Sequence, residues 1–471
     1  MRLHSKRVLC VLLYAVLAVP LWPEETLVLT LEDAVSQALA NNLSIRRTRL
    51  DLESRKLTRD TVFNQFYPRI TAGVTLSRLH EAPGTVTGLI PDPTSEIAPG
   101  SGIYERVLSF EQELPHTWTL STSLQASLTL TFQLVGGIEL AFKDYERGLV
   151  TLEKVQKQVE RDVRKAFYQL ILSREQLSIM EESLKASEAR YRQTERLFQN
   201  GLVDRQTLLS ARVAWESMKP QIAQLSMAYE NALLNFKMLL GMDLERPVVL
   251  EGEITTPALS PTSIDLARFS LDRSPEIQEL AKALQMQRIQ REITTSSRLP
   301  VLTFTVTADP TFQGDPFADP WFEDVDTMWT QRSGMFGVTL TIPVDPWIPA
   351  SQTWVNLSNQ ERSLEAMELQ LEEALRATYL RARSLLDSIR TAQENLKAHE
   401  ANLELARTSY QLAEEAYGSG LKDLVAVMDA ETQLRQAQFS VLSDRIQILT
   451  NLIDLSYTLN VPFETLIGGQ E

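Results

Sequence analysis

Two periodicities run along this chain. From residue 70 the residues alternate, with Ile70, Ala72, Val74 and Leu76 set against Thr71, Gly73, Thr75 and Ser77. Further on, Leu124, Ala126, Leu128, Leu130 and Phe132 oppose Ser123, Gln125, Ser127, Thr129, Thr131 and Gln133. In the second half Leu302, Phe304 and Val306 oppose Thr303, Thr305 and Thr307, and Phe336, Val338, Leu340 and Ile342 oppose Gly337, Thr339 and Thr341. Period two means a strand with one apolar and one polar face. The pattern predicts strands at about residues 66–79, 119–134, 300–308 and 334–343. A soluble sheet packed on a core gives the same alternation. Here, however, the polar faces carry uncharged Ser, Thr, Gln and Gly, as a water-filled barrel wall does.

The other periodicity is seven. Val163, Leu170, Leu177, Leu184, Tyr191 and Phe198 recur at that interval, and Ala166, Ser173, Met180, Ser187 and Thr194 fill the complementary slots. Leu208, Trp215, Ile222, Tyr229 and Phe236 run back, paired with Ala211, Met218, Leu225, Ala232 and Leu239. The second half repeats the scheme as Leu375, Ala382, Ile389, Leu396, Leu403, Tyr410 and Tyr417, returning as Val427, Leu434, Val441, Ile448 and Leu455. A heptad sustained this long predicts coiled-coil helical hairpins, at about residues 139–243 and 350–460. A helix from Glu139 to Phe198 would be about 90 Å long. Pro220 interrupts one return helix and is expected to kink it.

The halves resemble each other. Asn41-Asn42-Leu43-Ser44-Ile45 matches Arg273-Ser274-Pro275-Glu276-Ile277, Tyr67-Pro68 matches Leu299-Pro300, and Asn200-Gly201-Leu202 matches Ser419-Gly420-Leu421. An internal duplication accounts for this economically. The first repeat would cover about residues 29–250, a Pro/Thr/Ser-rich linker 251–262, and the second repeat 263–466. The spacing between matched positions grows by seven residues between Gln158/Gln370 and Gly201/Gly420, which predicts one heptad inserted in the second long helix. Two long loops, Glu81 to Thr117 and Asp309 to Ser333, join the paired strands. The acids of the second match no calcium-loop spacing and read as a solvated surface.

Composition narrows the class. The 471 residues carry 61 acids against 46 Lys and Arg, a net charge of −15, which argues against a nucleic-acid partner. Mean hydropathy is −0.14, and no run of about 20 apolar residues follows the N-terminus, which excludes a polytopic helical membrane protein but not a β-barrel. Arg2, Lys6 and Arg7 precede the apolar stretch Val8 to Val19, so residues 1–18 read as a secretory signal with cleavage near Ala18. Cleavage there removes three positive charges, leaving −18, and also removes Cys10, the only cysteine. Disulfides and thiolate sites are then excluded from the mature chain.

In this order, the pieces resemble the TolC family of outer membrane factors. They are Leu29-Thr30-Leu31-Glu32-Asp33-Ala34 followed by Asn41-Asn42, strand entry at Tyr67-Pro68, Phe198-x-x-Gly201-Leu202, and Tyr417-x-x-Gly420-Leu421 leading into Val427-Met428-Asp429-Ala430. The resemblance spans about Leu29 to Leu466. It implies a mainly α fold with a membrane β-barrel portion. In a homotrimer, each protomer would lend four strands to a twelve-strand barrel in the outer membrane lipid, and its helices to a periplasmic tunnel. It further implies a periplasmic adaptor and an inner-membrane pump of RND, ABC or MFS type as partners. Gly201, Leu202, Gly420 and Leu421 would form the tip that docks the adaptor. A closed gate would draw on Tyr417, Lys422 and Asp429. The sequence departs from the family at Ala426 and Thr207, where acids are expected, and Asp204 and Asp423 stand close enough to compensate.

No catalytic site is expected. His4, His80, His116 and His399 are scattered, and no Ser-His-Asp order, phosphate loop or H-E-x-x-H occurs. Neither a metal nor a cofactor is implied. The reading is therefore an efflux exit duct. Its alternatives are the exit duct of a type I protein secretion system and, from another class, a non-conducting periplasmic coiled-coil spacer or adhesin.

Overall fold

The computed structural model describes residues 27–78, 85–91, 94, 107–113, 118–256, 271–314, 334–419 and 421–467. The signal segment, part of the linker, most of both long loops and Gly420 lie outside the described residues. In chain order the elements are β1 (Leu27–Leu29), α1 (Leu31–Asn41), α2 (Leu43–Asp60), β2 (Arg69–Arg78), β3 (Thr85–Pro91), β4 (Val107–Glu113), β5 (Trp118–Leu130), α3 (Gln133–Gln199), α4 (Arg205–Leu240) and β6 (Val248–Leu250). Then follow α5 (Pro275–Ser296), β7 (Val301–Ala308), β8 (Thr311–Gly314), β9 (Gly334–Thr341), α6 (Gln352–Gly418), α7 (Leu424–Leu459) and the short α8 (Phe463–Ile467).

Two compact units divide the chain, and each draws on both halves of the sequence. One comprises residues 1–56, 143–285 and 365–471, the other residues 57–142 and 286–364. The second unit holds the main sheet, ordered β2-β5-β7-β9, with every neighbouring pair antiparallel. β8 also pairs with β5, in the same register as β7, so it continues that strand across Asp309-Pro310. The long loops are not wholly irregular: β3 and β4 pair within the first, and β8 lies in the second.

Register places the alternation on one surface. Ile70 faces Ala126, Leu128 faces Phe304, Leu130 faces Leu302, and Phe304 and Val306 face Val338 and Phe336. All the even-numbered apolar positions therefore share one face. Ile70, Val74, Leu124, Phe336, Val338 and Leu340 on that face are exposed.

In the first unit the heptad positions are the buried ones. Val163, Leu170 and Phe236 are buried in the first half, as are Ala382, Ile389, Val427, Val441, Ile448 and Leu455 in the second. Phe167 and Phe236 meet with ring centroids 6.3 Å apart at the centre of the first core cluster. The sequence motifs that open the first half also acquire physical roles. Thr30 is the N-cap of α1, in a capping box with Asp33. Asn42 caps α2 by accepting from the Ser44 and Ile45 amides, while its own amide donates to the Leu239 carbonyl at 2.7 Å. Beside it Gly241 closes α4 in the left-handed region, φ 68°.

One expectation is corrected. No heptad is inserted in the second long helix: α3 and α6 are both 67 residues, and α4 and α7 both 36. The extra residues lie in the strand-to-helix connection, which is 131–132 in the first half and 342–351 in the second. Equal helices keep both hairpins in phase, whereas an irregular connection absorbs added residues without disturbing a seam. α4 runs on through Pro220.

Two left-handed glycines among the described residues differ in surroundings. A Cβ on Gly241 would lie 2.4 Å from the Asn41 carbonyl oxygen, whereas one on Gly201, φ 71°, would meet nothing within 4 Å. Both substitutions to Ala incur the left-handed penalty of about 1–2 kcal/mol, and only Gly241→Ala adds a backbone collision. Thermal unfolding followed by helical circular dichroism is expected to show Gly241→Ala melting well below Gly201→Ala.

Candidate functional site

The residues singled out from the sequence gather where the paired long helices reverse. At the first turn the Gly201 amide donates to Phe198 O at 2.9 Å and the Leu202 amide to Leu197 O at 2.9 Å. This is the glycine-terminated helix end that uses up the last free carbonyls. At the second turn the Leu421 amide makes the equivalent bond, to Ala416 O at 2.8 Å; Gly420 lies outside the described residues. Both leucines project outward, Leu202 at 70% and Leu421 at 81% exposure. An apolar side chain that open to water is unfavourable unless something covers it.

Asp204 and Asp423 stand at equivalent places as N-caps. Asp204 accepts from the Thr207 amide at 2.8 Å, and Asp423 from the Ala426 amide at 3.0 Å. Thr207 and Ala426, where acids are expected, are thus the third residues of α4 and α7 and are tied to these caps. The hydrogen bonds from the Thr207 hydroxyl and amide hold the Asp204 carboxyl below the usual carboxylate range. Lys422 and Asp429 are exposed, and neither has a side-chain partner among the described residues. Tyr417 is half-buried against the small cluster of Ala413, Val427 and Ala430.

About two to three helical turns inward lies a polar cluster that the sequence reading did not identify. Arg190 of α3 forms an ion pair with Glu431 of α7, their side chains only 8% and 11% exposed. Arg190 also donates to the Tyr410 hydroxyl of α6 at 3.1 Å. Thr194, fully buried, directs its hydroxyl hydrogen to the Arg190 carbonyl at 2.9 Å. Its oxygen is then free to accept from the Tyr417 hydroxyl, 3.1 Å away. Burial pushes the Tyr410 phenol up, with the Arg190 charge opposing and the Glu414 and Glu431 charges adding to the rise. Tyr410 therefore remains a neutral phenol that can accept from Arg190. The cluster ties α3 to both helices of the second hairpin. Its sequence signal was a charge, Arg190, between the small buried slots Ser187 and Thr194.

Further along the same hairpin the His399 imidazole meets Asp444 at 2.6 Å, and Arg445 meets Glu400 at 2.8 Å, two adjacent rungs between α6 and α7. Among the described residues no cluster of His, Cys, Asp or Glu is arranged to hold a metal ion, and no helix is long and apolar enough to cross a membrane. The latter says nothing of strands.

A family model described as outer membrane efflux protein matches residues 34–242 and 266–461. The probable efflux pump outer membrane protein TtgC of Pseudomonas putida is 23% identical over 370 residues, 76% of this chain and 73% of that protein. The alkaline protease secretion protein AprF of Pseudomonas aeruginosa is 20% identical over 322 residues, 66% of this chain and 64% of that protein. Among solved structures, the CmeC outer membrane channel of Campylobacter jejuni superposes with a TM-score of 0.71 at 17% identity, covering 91% of this chain and 85% of that one. The shared fold is the helical tunnel plus barrel architecture.

Removing one member of the buried pair strands the other charge. Arg190→Met or Glu431→Met alone is expected to cost about 3–5 kcal/mol, whereas the double variant recovers most of that loss. Denaturant unfolding of the four proteins in detergent checks this as a double-mutant cycle; additive single effects would refute the coupling.

Proposed function

The chain belongs to the outer membrane efflux protein family, and from that premise we propose that it is the outer-membrane exit duct of a tripartite efflux system. The observation that carries this reading is the sheet. One face is apolar and exposed, the other is lined with Thr, Ser, Gln and Gly, and both edges, β2 and β9, are bare among the described strands. In hydrocarbon such edges must be paired. Because the strands alternate in direction along β2-β5-β7-β9, joining β9 of one copy to β2 of the next keeps every pair antiparallel. A head-to-tail ring of copies closes the barrel, and three copies give twelve long strands. Leu120 to Leu130 of β5 spans about 34 Å along the strand. Tilted by about 40°, that covers roughly the 25 Å apolar band of a membrane barrel.

The helices would then extend into the periplasm. A stripe on α4 supports side-by-side copies: Leu209, Val213, Met227, Leu234 and Met238 are exposed at near-heptad spacing. The adjacent grooves along α6 and α7 are lined by small and polar side chains such as Ser384, Ser388, Ala392, Ala406, Ser409 and Ala437. Large knobs from one copy against small slots of the next would make a close helical wall. The exposed Leu202 and Leu421 suit an adaptor's helical hairpins. The reading assigns the chain conduction and no catalytic step, and it invokes no cofactor.

A second reading, the exit duct of a protein secretion system, is favoured by the likeness to AprF. It shares the fold, and the broader match to efflux relatives favours the first.

Two outcomes test the assignment. Purified protein is expected to open conducting, cation-preferring channels in planar bilayers. Asp429→Ala should weaken that preference, since three exposed, unpaired carboxylates would ring a narrow tip; absence of channels would refute the duct, and unchanged selectivity would refute the ring. Replacing both tip leucines, Leu202→Ser with Leu421→Ser, is expected to leave bilayer conductance intact while abolishing drug resistance and adaptor co-purification in cells. Normal resistance would show that the turns do not dock an adaptor.

A further inference from the structure

A second site lies in the unit that holds the sheet. Register puts the starts of β2 and β7 beside the ends of β5 and β9: Arg69 faces Ser127, Leu130 faces Leu302, and Val301 faces Thr341. At this end of the sheet Tyr67, Phe132, Trp347, Ile348 and Trp354 are all exposed. At the opposite end Arg78 lies over the Trp118 ring, 5.5 Å from its centroid. The first end thus carries exposed aromatics and the other a half-buried tryptophan, and aromatic rings at both limits of an apolar sheet face are how a membrane barrel marks its two water boundaries.

At the first of these ends is a cavity of about 200 Å³, lined by Arg291, Thr295 and Arg298 on one side and by Trp354, Leu357, Ser358 and Glu361 of α6 on the other. Arg291 is ion-paired with Glu361 at 3.1 Å and contributes no net charge. The Thr295 hydroxyl is used on the Arg291 carbonyl. Arg298 differs. Its guanidinium lies over the Trp347 ring, 5.5 Å from the centroid, and its Nε is buried with no hydrogen-bond partner. Arg298 has no ion pair and the Ser358 hydroxyl no partner among the described residues. The cavity is thus lined by one uncompensated positive charge and a free hydroxyl, with Trp354 in its wall and Trp347 against the guanidinium. The terminal nitrogens of a guanidinium match phosphate oxygens.

We propose that this cavity binds the phosphate of an anionic glycerophospholipid head group, with Arg298 and Ser358 as donors and Trp347 and Trp354 packed at the water boundary beside it. The single net charge suits a monoanionic head group better than a zwitterionic one. The site is specific to the second half. Trp347 belongs to the 342–351 connection, whereas the corresponding first-half connection is only residues 131–132. The proposal rests on the reading that the sheet lies in a bilayer.

The test uses the full-length protein purified after incubation with equimolar phosphatidylglycerol and phosphatidylethanolamine, and retained lipid counted by native mass spectrometry. Wild type is expected to retain phosphatidylglycerol about fivefold over phosphatidylethanolamine, the effect of one near-surface arginine. Arg298→Ala should bring the ratio to parity, Arg298→Lys should keep part of the preference, and Arg78→Ala should leave it unchanged. Equal retention by wild type, or an unaltered ratio in Arg298→Ala, overturns the proposal. So does displacement of the lipid by millimolar inorganic phosphate, which would make the cavity a free-phosphate site. Bilayer conductance of wild type and Arg298→Ala, measured in parallel, keeps the two questions apart. Equal retention of the two lipids by wild type with channels retained refutes only the head-group site, and absence of channels in wild type refutes only the duct.

Discussion

A backbone amide or carbonyl placed in hydrocarbon without a partner costs several kcal/mol. The described sheet leaves a row of such groups at β2 and another at β9, on a surface whose apolar side chains have no core to cover them. Each strand's pattern follows from this constraint. In the exit-duct reading the even positions are apolar to meet lipid and the odd ones hydroxylic to line water. The edges can stay bare in that reading because the alternating strand directions would let another copy complete them. Side chains that would satisfy a soluble sheet edge, such as inward charges, are unnecessary where closure removes the edge.

The helical part solves a different problem. A heptad seam gives attraction without fixing which helix meets which, because one leucine stripe fits another at several offsets. The buried Arg190–Glu431 pair supplies that missing choice. A charge pair with little exposure is satisfied at one register and stranded at the others. Tyr410 and Tyr417 extend the choice to α6, each through a single hydroxyl contact with α3. Towards the turns the buried seam positions include the small residues Ser187, Thr194, Ala413 and Ala430, so the polar contacts carry more of the alignment there than in the Phe167 and Phe236 region.

How far the sequence could be read follows from the range of each interaction. Strand faces and helix seams repeat locally, so Ile70 to Leu76 and Val163 to Phe198 disclosed their structure within a few turns of chain. The Gly201-Leu202 turn was legible for the same reason. Arg190 and Glu431 are separated by 241 positions, and nothing local marks them as partners. The parallel pairing of β1 with β6 was hidden likewise, since three residues at either end of a half carry too short a pattern to register. Asp204 and Asp423 enter as gate charges only through what the family resemblance implies. Their spacing to Thr207 and Ala426 is equally the spacing of a helix cap, and the backbone amide three residues on is the partner they meet.

The two halves are most alike in their long helices and least alike in their strand-to-helix connections. Hairpins of 67 and 36 residues recur with no change in length, with an Asp cap at each return helix and an exposed leucine at each turn. A mismatch there would put the two tips at different heights along the tunnel. The strand-to-helix connections are free of that demand, because closing the longer loop costs only about 1.4 kcal/mol more in closure entropy. The second half has the longer connection, with Trp347 in it over Arg298. The spacing of long rigid elements is therefore held fixed by the seam, while side chains in the connections can change without disturbing it.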